Sequence, residues 1–376
     1  MFTYIQYYLI AALALLAIPA IYMGGHWLWS GFVLMNAVII LGDALLGEDT
    51  SERSVRYPKI LEFPLHLALP ILACILVSFA WASGQGTTDF LGIGKFLNPY
   101  LPMDLFAARA NTSGFDYLGG VLSVGFLMAG FGTNVAHELT HRTHSRVAMI
   151  TGRWLLSMSG NADFSIEHVY GHHVNVGTAI DPATAKRGDN VYSFIMSSTM
   201  LSHLSAWNLE ARRLKNRGHH IASWHNQMLT GYAMSLCWML IFALAGGVLG
   251  VVLFLGQAFL AKAILEIVNY MEHYGMYRHE GEPVMPHHSW NSNKRMSGMI
   301  LFSLTRHSAH HENGALPFWE LSAYDEDTPT LPMGYLSSIF ICLVPFLWRK
   351  HIDPGLTQWD DQHGHAVPES AGLSDA

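Results

Sequence analysis

The chain has 376 residues, of which 51% are hydrophobic and 13% charged, and its formal net charge is −7 at pH 7. This apolar composition, with its long uncharged runs, excludes an ordinary soluble protein and predicts an integral membrane protein. The three cysteines lie in separate apolar runs without a Cys-x-x-Cys pair, which excludes a disulfide framework and a cysteine-ligated metal site. The 22 histidines outnumber lysine and arginine together, and an apolar composition does not account for them.

Apolar runs long enough to cross a bilayer, which takes about 20 residues, follow one another along the chain. Single spans are predicted at 4–22, 27–46, 63–82 and 117–136. The apolar tract 231–270 is too long for one crossing, and Ala245-Gly246-Gly247 near its middle predicts a helical hairpin. The predicted fold is therefore an all-α integral membrane protein, with six transmembrane helices and a cytoplasmic, histidine-rich helical cap.

The predicted organisation alternates membrane and cap segments. Its parts are transmembrane helices 1–4 (residues 1–136), a first cap segment with two histidine motifs (137–230), transmembrane helices 5–6 (231–273), a second cap segment with the third histidine motif (274–350) and a tail (351–376). Segment 334–348 is too short to cross the bilayer, so we expect it to lie along the membrane interface. The tail is rich in Asp, Gly and Ser and is expected to be loosely ordered.

The distribution of lysine and arginine predicts the orientation. With six spans, all of them except Lys95, Arg109 and Lys262 fall on one side of the membrane. By the positive-inside rule that side is cytoplasmic. The clustered histidines fall on the same side, although the rule takes no account of histidine.

Nine histidines occur in short groups near the ends of predicted helices: His137, His141, His168, His172, His173, His273, His307, His310 and His311. Residues four apart, such as His137 and His141 or His168 and His172, share one face of an α-helix, whereas His173 is rotated by about 100° and could serve a different metal. His307, His310 and His311 also span one face. Sites made of nitrogen ligands suit iron, zinc, copper or nickel. Because one metal that must also bind substrate or oxygen rarely takes more than four or five imidazoles, nine imply two metals.

Polar residues beside these histidines are candidate acceptors for imidazole N–H groups, which metal-bound histidines usually need. Glu138, Glu167 and Glu272 each adjoin a candidate ligand, and Asn269 lies one turn before His273. No separate acid or base is assigned, so the metal centre itself is expected to be catalytic.

The stretch His137-Glu-Leu-Thr-His141 also fits His-Glu-x-x-His, the zinc protease pattern in which Glu138 would act as the base. A protease needs one zinc and three ligands, so this reading leaves six other clustered histidines unexplained. It remains the weaker alternative.

Four stretches resemble the membrane-bound alkane 1-monooxygenases, within the membrane desaturase and hydroxylase superfamily. They are His137-Glu-Leu-Thr-His141, Glu167-His-Val-Tyr-Gly-His-His173, Asn269-Tyr-Met-Glu-His-Tyr-Gly275 and Leu304-Thr-Arg-His-Ser-Ala-His-His311. The third separates alkane hydroxylases from the desaturases, and the resemblance extends from Asp43 to Pro354. The sequence departs from the family at Arg142, where lysine is usual, and at Lys262 and Glu266, which lie four apart in an otherwise uncharged span and could pair.

The resemblance implies a non-haem diiron monooxygenase in which the nine histidines hold two iron ions. It would use O2 to hydroxylate the terminal methyl of medium- to long-chain n-alkanes to 1-alkanols, in the inner membrane of a bacterium. Substrate would enter from the membrane lipid. Electrons would come from rubredoxin and an NADH-dependent rubredoxin reductase.

Four basic clusters are candidate rubredoxin contacts, although positive-inside bias alone would also place them there: Lys186-Arg187, Arg212-Arg213-Lys215-Arg217, Lys294-Arg295 and Arg349-Lys350. No nucleic-acid partner is expected. An acyl-chain desaturase or fatty-acid hydroxylase of the same superfamily remains an alternative function.

Overall fold

A computed structural model describes residues 2–324 and 328–363 of the chain. Within these ranges every regular element is a helix, and the only paired extended backbone is two isolated β-bridges, Glu48 with Lys294 and Asn291 with Thr330. The prediction of an all-α protein is confirmed.

The main helices, labelled in chain order, are α1 (Leu9–Met23), α2 (Ser30–Leu46), α3 (Pro58–Ala82), α4 (Gly114–Leu127), α5 (Asn134–Thr140), α6 (Arg146–Ser157), α7 (Val191–Asn216), α8 (Gln227–His273), α9 (Arg295–Ile300), α10 (His307–Glu312), α11 (Tyr335–Cys342) and α12 (Pro345–His363). Two segments, Met128–Thr133 and His168–His172, are π-helical. Short α-helical pieces cover Phe2–Ile5, Ile93–Leu97, Leu105–Ala110, Phe164–Glu167 and His173–Asn175. Turns of 3-10 helix cover Gln6–Tyr8, Gly25–Trp29, Phe90–Gly92, Asn98–Tyr100, Pro286–His288 and Phe318–Glu320.

Several helices are long and apolar enough to cross a membrane. In the described part of the chain they are Thr3–Met23, Gly25–Leu46, Pro58–Ala82, Gly114–Thr140 and Gln227–His273. Each of the four predicted single spans overlaps one of them, and the predicted hairpin corresponds to the last, which is 47 residues long. Helices of this length and composition identify a membrane protein.

The chain reverses direction inside α8. Gly247 has φ 58° and ψ −135°, a conformation outside the helical region that glycine adopts most readily. The rings of Phe242 and Phe254 are 5.4 Å apart, whereas twelve residues of straight helix would separate them by about 18 Å. A Cβ on Gly250 would lie 2.0 Å from the carbonyl oxygen of Phe242, so the two arms meet there without room for a side chain. The sequence Ala-Gly-Gly predicts this turn.

The chain divides into two compact units. The first comprises Met1–Val38, Tyr57–Ala162 and Ala222–Lys262, and the second Ile39–Arg56, Asp163–Ile221 and Ala263–Ala376. In the first unit α1 packs against α3, whose inward face buries Leu65, Leu72 and Phe79. His137 and His141 belong to the first unit, and the other seven candidate ligands belong to the second.

A buried arginine closes one end of α3 in the first unit. The Arg109 guanidinium donates to the carbonyl oxygens of Trp81, Gly86 and Thr88 at 3.1, 2.8 and 2.7 Å. The first carbonyl lies in the last turn of α3 and the other two in the loop that follows it, so the guanidinium ties this loop to the helix end. Arg109 therefore has a structural role in the unit.

The C-terminal helix α12 packs in the second unit on the end of α8. Trp348, Ile352 and Leu356 are buried, and the Trp348 ring lies 5.9 Å from Tyr270 and 5.8 Å from Tyr274. The prediction of a loosely ordered tail from residue 351 is wrong for residues 351–363, which are helical because this apolar face is buried. The remainder of the predicted tail, 364–376, lies outside the described residues. The predicted interfacial segment 334–348 forms α11 and the first turn of α12.

Candidate metal centre

Four imidazoles from three sequence motifs meet in the interior of the second unit. They belong to His172, His273, His307 and His311, all buried, and their ligand nitrogens lie within 4.8 Å of one another. His307 Nε2 is 3.1 Å from His273 Nε2 and 3.0 Å from His311 Nε2. Residues 139 positions apart in sequence, His172 and His311, thus join one group.

This geometry fits a metal ion better than it fits hydrogen bonds among the histidines. A neutral imidazole nitrogen either donates one hydrogen bond or accepts one, yet His307 Nε2 has two imidazole nitrogens at bonding distance. Two ligands about 2.1 Å from one metal and at right angles to each other lie about 3.0 Å apart. A nitrogen-rich set of this kind suits a transition metal and does not suit magnesium or calcium.

A second group in the same unit has the same pattern. His173 Nε2 lies 3.2 Å from His168 Nε2 and 2.9 Å from His310 Nε2. Again one nitrogen faces two others. The rings of His168 and His310 are nearly parallel, with an interplanar angle of 8°. The two groups divide the seven histidines of the unit into four and three.

The division depends on a π-helix that the sequence does not reveal. Residues 168–172 are π-helical, so hydrogen bonds run to the fifth residue and His173 comes to lie one turn after His168. The α-helical spacing assumed from the sequence pairs His168 with His172, and this pairing is wrong. His168 pairs with His173, and His172 faces the other group.

The short helix α10 also serves both groups. His307 and His311, one α-helical turn apart, contribute to the four-imidazole group, and His310 contributes to the other. The expectation that all three share one face is therefore too simple. Buried Arg306 fixes the start of this helix by donating to the carbonyl oxygens of Leu321 and Asp49 at 2.6 and 2.7 Å.

In the first unit His137 lies on α5 and His141 directly follows this helix, with the two ring centroids 5.0 Å apart. A π-helical segment, Met128–Thr133, directly precedes α5; such segments occur frequently at functional sites. The Glu138 carboxylate accepts a hydrogen bond from Arg142 Nη2 at 2.8 Å. Because an arginine stabilises the charged form of a carboxylate and weakens it as a base, this ion pair argues against the zinc protease alternative.

Asp181 is a partner of the centre that the sequence reasoning missed. Its Oδ2 lies 2.9 Å from His172 Nδ1 and accepts from Thr184 Oγ1 at 2.6 Å. Burial acts to raise the pKa of Asp181, but the charge of His172 and these hydrogen bonds hold it below its usual value. A carboxylate here keeps the proton on Nδ1 and turns Nε2 toward the metal position. The only signal in the sequence is the short stretch Asp181-Pro-Ala-Thr184, eight residues after His173.

Glu272, predicted to accept an imidazole N–H, lies instead beside the His307 nitrogen that faces the other candidate ligands. Its Oε2 lies 3.2 Å from His307 Nε2, and its Oε1 accepts the hydroxyl of Tyr335. Burial, and then the neighbouring carboxylate, raise the pKa of Tyr335 well above its usual value, so the phenol keeps its proton. The four-imidazole group therefore has a buried carboxylate beside it, held by a neutral donor.

The other predicted acceptors have different surroundings. Glu167 is buried, and a Cβ on Gly171 would lie 2.5 Å from its Oε1. Burial raises the pKa of Glu167 to about 8, although the charge of His172 lowers it. Asn269 Nδ2 donates to Glu266 Oε2 at 3.2 Å. The loop after α8 supplies a polar contact that the sequence did not single out, with Ser289 Oγ 3.5 Å from His273 Nδ1.

Comparison with known proteins agrees with this geometry. The fatty acid desaturase family matches residues 115–340. The chain is 36% identical to alkane 1-monooxygenase 1 of Pseudomonas aeruginosa over 341 residues, which are 88% of this chain and 84% of that protein. It is 35% identical to alkane 1-monooxygenase 2 of the same organism, over 92% of this chain and 90% of that protein.

The chain belongs to the alkane 1-monooxygenase family. The resemblance read from the histidine motifs is thereby confirmed, as is the prediction of a monooxygenase with metal-binding histidines. Within the same comparison, the xylene/toluene monooxygenase hydroxylase component XylM of Pseudomonas putida is 28% identical over 368 residues, 96% of this chain and 90% of that protein.

Proposed function

We propose that this alkane 1-monooxygenase family member hydroxylates the terminal methyl of medium- to long-chain n-alkanes to 1-alkanols, with O2 as the oxidant. The observation that carries the proposal is the buried group of His172, His273, His307 and His311 with the Glu272 carboxylate beside it. The curated relatives named alkane 1-monooxygenase support the substrate class.

The nine histidines are assigned to two iron ions. One iron takes the four-imidazole group, and the nitrogen–nitrogen distances of 3.0–3.1 Å support this assignment. The other takes His168, His173 and His310 together with His137 and His141, an assignment that rests on the spacing of the motifs and on family membership. Bound iron supplies the activation of O2, which protein side chains alone cannot provide.

The surrounding side chains prepare the site for that chemistry. Asp181 holds a proton on His172 Nδ1 and so fixes which nitrogen faces the metal. Tyr335 donates to Glu272 and keeps that carboxylate directed toward His307. Burial of these groups excludes water, and an apolar chain held in one orientation would present only its terminal methyl.

The proposed topology has six membrane crossings, the last two formed by the arms of α8 on either side of Gly247. The histidine-rich cap lies on the cytoplasmic side of a bacterial inner membrane, as the distribution of lysine and arginine indicates. Alkane partitions into the bilayer and reaches the site from there.

Electrons are proposed to come from rubredoxin, reduced by an NADH-dependent reductase. Three residues of the candidate docking clusters already form ion pairs within the chain: Arg187 with Asp360, Arg213 with Glu210, and Lys294 with Glu48. Docking would therefore depend mainly on the other lysines and arginines of these clusters.

Reversing the charge of a docking cluster should lower the rubredoxin-dependent rate in a salt-sensitive way and leave turnover with a chemical reductant unchanged. A cluster whose reversal lowers both rates equally does not dock the donor.

Metal analysis of the purified protein, combined with product analysis on octane, tests the proposed function. The expected result is about two irons per chain and 1-octanol formed with consumption of O2. A single zinc ion per chain, or bound metal without oxygen consumption, would contradict the proposed function and favour the zinc enzyme alternative.

Substrate class is tested by competition in the same assay. A xylene is the second candidate substrate, favoured by the similarity to XylM over 96% of this chain, and an acyl lipid represents the desaturase or fatty-acid hydroxylase alternative, favoured by the family match. Preference for octane over both supports the proposal. Exclusive conversion of the acyl lipid contradicts it.

A further inference from the structure

One long helix outside the candidate membrane spans of the described chain presents apolar side chains outward. Helix α7 has 26 residues, and Tyr192, Met196, Met200 and Leu204 are all exposed on it. Each step of four residues rotates by about 40°, so the four side chains lie within an arc of about 120°. They form a continuous stripe about 18 Å long on one face.

The opposite face of α7 is the one that packs within the unit. Phe194, Ile195, Ser198 and Ser202 are buried, and Ser198 Oγ donates to Glu266 Oε2 at 2.6 Å. The outward stripe is therefore not the packing face of the helix. A contiguous apolar patch on the surface of a folded protein usually marks a contact with another protein or with a membrane.

A second element extends the stripe. The hydroxyl of Tyr192 donates to the carbonyl oxygen of Leu343 at 2.7 Å, which fixes the turn between α11 and α12 beside the start of α7. Val344 and Phe346 in this turn are exposed. Two segments more than 100 residues apart in sequence thus contribute to one apolar surface.

Exposed cations follow the apolar residues on both segments. Arg212, Lys215 and Arg217 are exposed at the end of α7, and Arg349 and Lys350 are exposed one turn after Phe346. An apolar face bordered by lysine and arginine is the pattern of helices that lie in the plane of a membrane surface. There the apolar groups enter the acyl region, and the cations reach anionic headgroups.

We propose that α7 and the turn 343–346 form a lipid-binding surface that lies in the membrane interface and binds anionic phospholipid through Arg212, Lys215 and Arg217. Lipid is favoured over a protein partner because the stripe is a flat helix surface of flexible side chains with cations at its end. This charge pattern complements an anionic leaflet, and the chain already carries several helices that can enter a bilayer. These three cations belong to one of the candidate rubredoxin clusters, and the proposal assigns them to lipid instead. It does not depend on which substrate the enzyme oxidises.

Methionine oxidation of the unmodified enzyme tests the apolar part of the surface. Met196 and Met200 are 62% and 63% exposed, and Met285, 43% exposed, serves as the internal control. The enzyme is placed in nanodiscs of phosphatidylcholine and phosphatidylglycerol and treated with chloramine-T, which oxidises accessible methionines. Oxidation of Met196 and Met200 should be about tenfold slower than that of Met285, despite their greater exposure. Equal or faster oxidation of Met196 and Met200 would overturn the proposal.

A second measurement tests the headgroup specificity. The triple variant R212Q/K215Q/R217Q should co-purify with about threefold less phosphatidylglycerol, relative to phosphatidylcholine, than the unmodified enzyme. The matched control Lys186→Gln, an exposed cation outside the surface, should retain the original ratio. If the triple variant, with unchanged metal content, keeps the ratio of the unmodified enzyme, the assignment of an anionic-lipid site is wrong. If protection of the methionines requires an added electron-donor protein, the surface is a protein-docking face and the lipid proposal fails.

Discussion

The two imidazole groups of the second unit differ in what holds their rings. In the four-imidazole group a carboxylate lies 2.9 Å from His172 Nδ1, and another lies 3.2 Å from His307 Nε2. In the other group the His168 ring stacks on Phe164, with centroids 4.5 Å apart and an interplanar angle of 12°. The Asp181 carboxylate on Nδ1 fixes the tautomer of His172 and raises its basicity, whereas stacking fixes only the orientation of a ring. The two groups therefore orient their imidazoles by different means.

The largest effect is expected from removing a histidine at the centre of either group. His307→Ala should lower the iron content from about two to about one per chain and abolish hydroxylation, because His307 Nε2 faces two other ligand nitrogens. Elemental analysis and octane turnover measure both effects. His173→Ala should do the same for the other group. Retention of both irons in either variant would refute the division of ligands.

The second-largest effect is expected from replacing Asp181, the carboxylate beside His172. Asp181→Asn should weaken iron binding by roughly 10- to 100-fold, the usual effect of losing an outer hydrogen-bond partner of a metal ligand. Competition with a chelator would measure the affinity of each site separately. Only the iron of the four-imidazole group should be affected, since Asp181 contacts His172 of that group. Equal weakening of iron binding at both sites would show that the Asp181 carboxylate does not distinguish the four-imidazole group from the other group.

A smaller effect is expected at Tyr335. Tyr335→Phe removes the donor to Glu272 and leaves a buried carboxylate oxygen without that hydrogen bond, at a cost of about 1–3 kcal/mol. Thermal unfolding of the iron-loaded protein should show the loss, together with reduced turnover. Unchanged stability and turnover would show that the hydroxyl contributes nothing to the site.

The smallest effect is expected from removing the aromatic ring of Phe164, which stacks on His168. Phe164→Leu keeps an apolar side chain against His168 but removes the aromatic stacking, which contributes about 0.5–1.5 kcal/mol. Iron content should remain near that of the unmodified enzyme, and affinity should fall less than in Asp181→Asn. A loss as large as that of the aspartate variant would mean that stacking and carboxylate contacts are equivalent here.

Much of the architecture can be predicted from the sequence, because the relevant signals are local. Apolar run lengths give the candidate spans, and Gly247 gives the reversal within α8. The histidine motifs identify the ligand candidates, since the residue type and the short spacing are visible without a structure. The family segment containing Glu272 likewise points to the carboxylate that lies beside His307.

Other features depend on contacts between distant segments and could not be predicted. The separation of His172 from His173 agrees with the sequence, but the π-helical turn at 168–172 also pairs His168 with His173, and nothing in the spacing distinguishes this turn from an α-helix. The role of Asp181 requires the loop after His173 to fold back on His172. The helix at 351–363 forms in a polar sequence because Ile352 and Leu356 find a buried surface.

The packing of α12 has a consequence for the order of assembly. Leu356 fills the space beside Gly275, where a Cβ would lie 2.3 Å from the Leu356 Cδ2, and Gly275 is two residues after the candidate ligand His273. During synthesis all nine candidate ligands precede α12, the helix that packs beside His273. Iron captured before α12 docks would enter a site whose packing is incomplete, so we expect stable loading only after the C-terminal helix has docked.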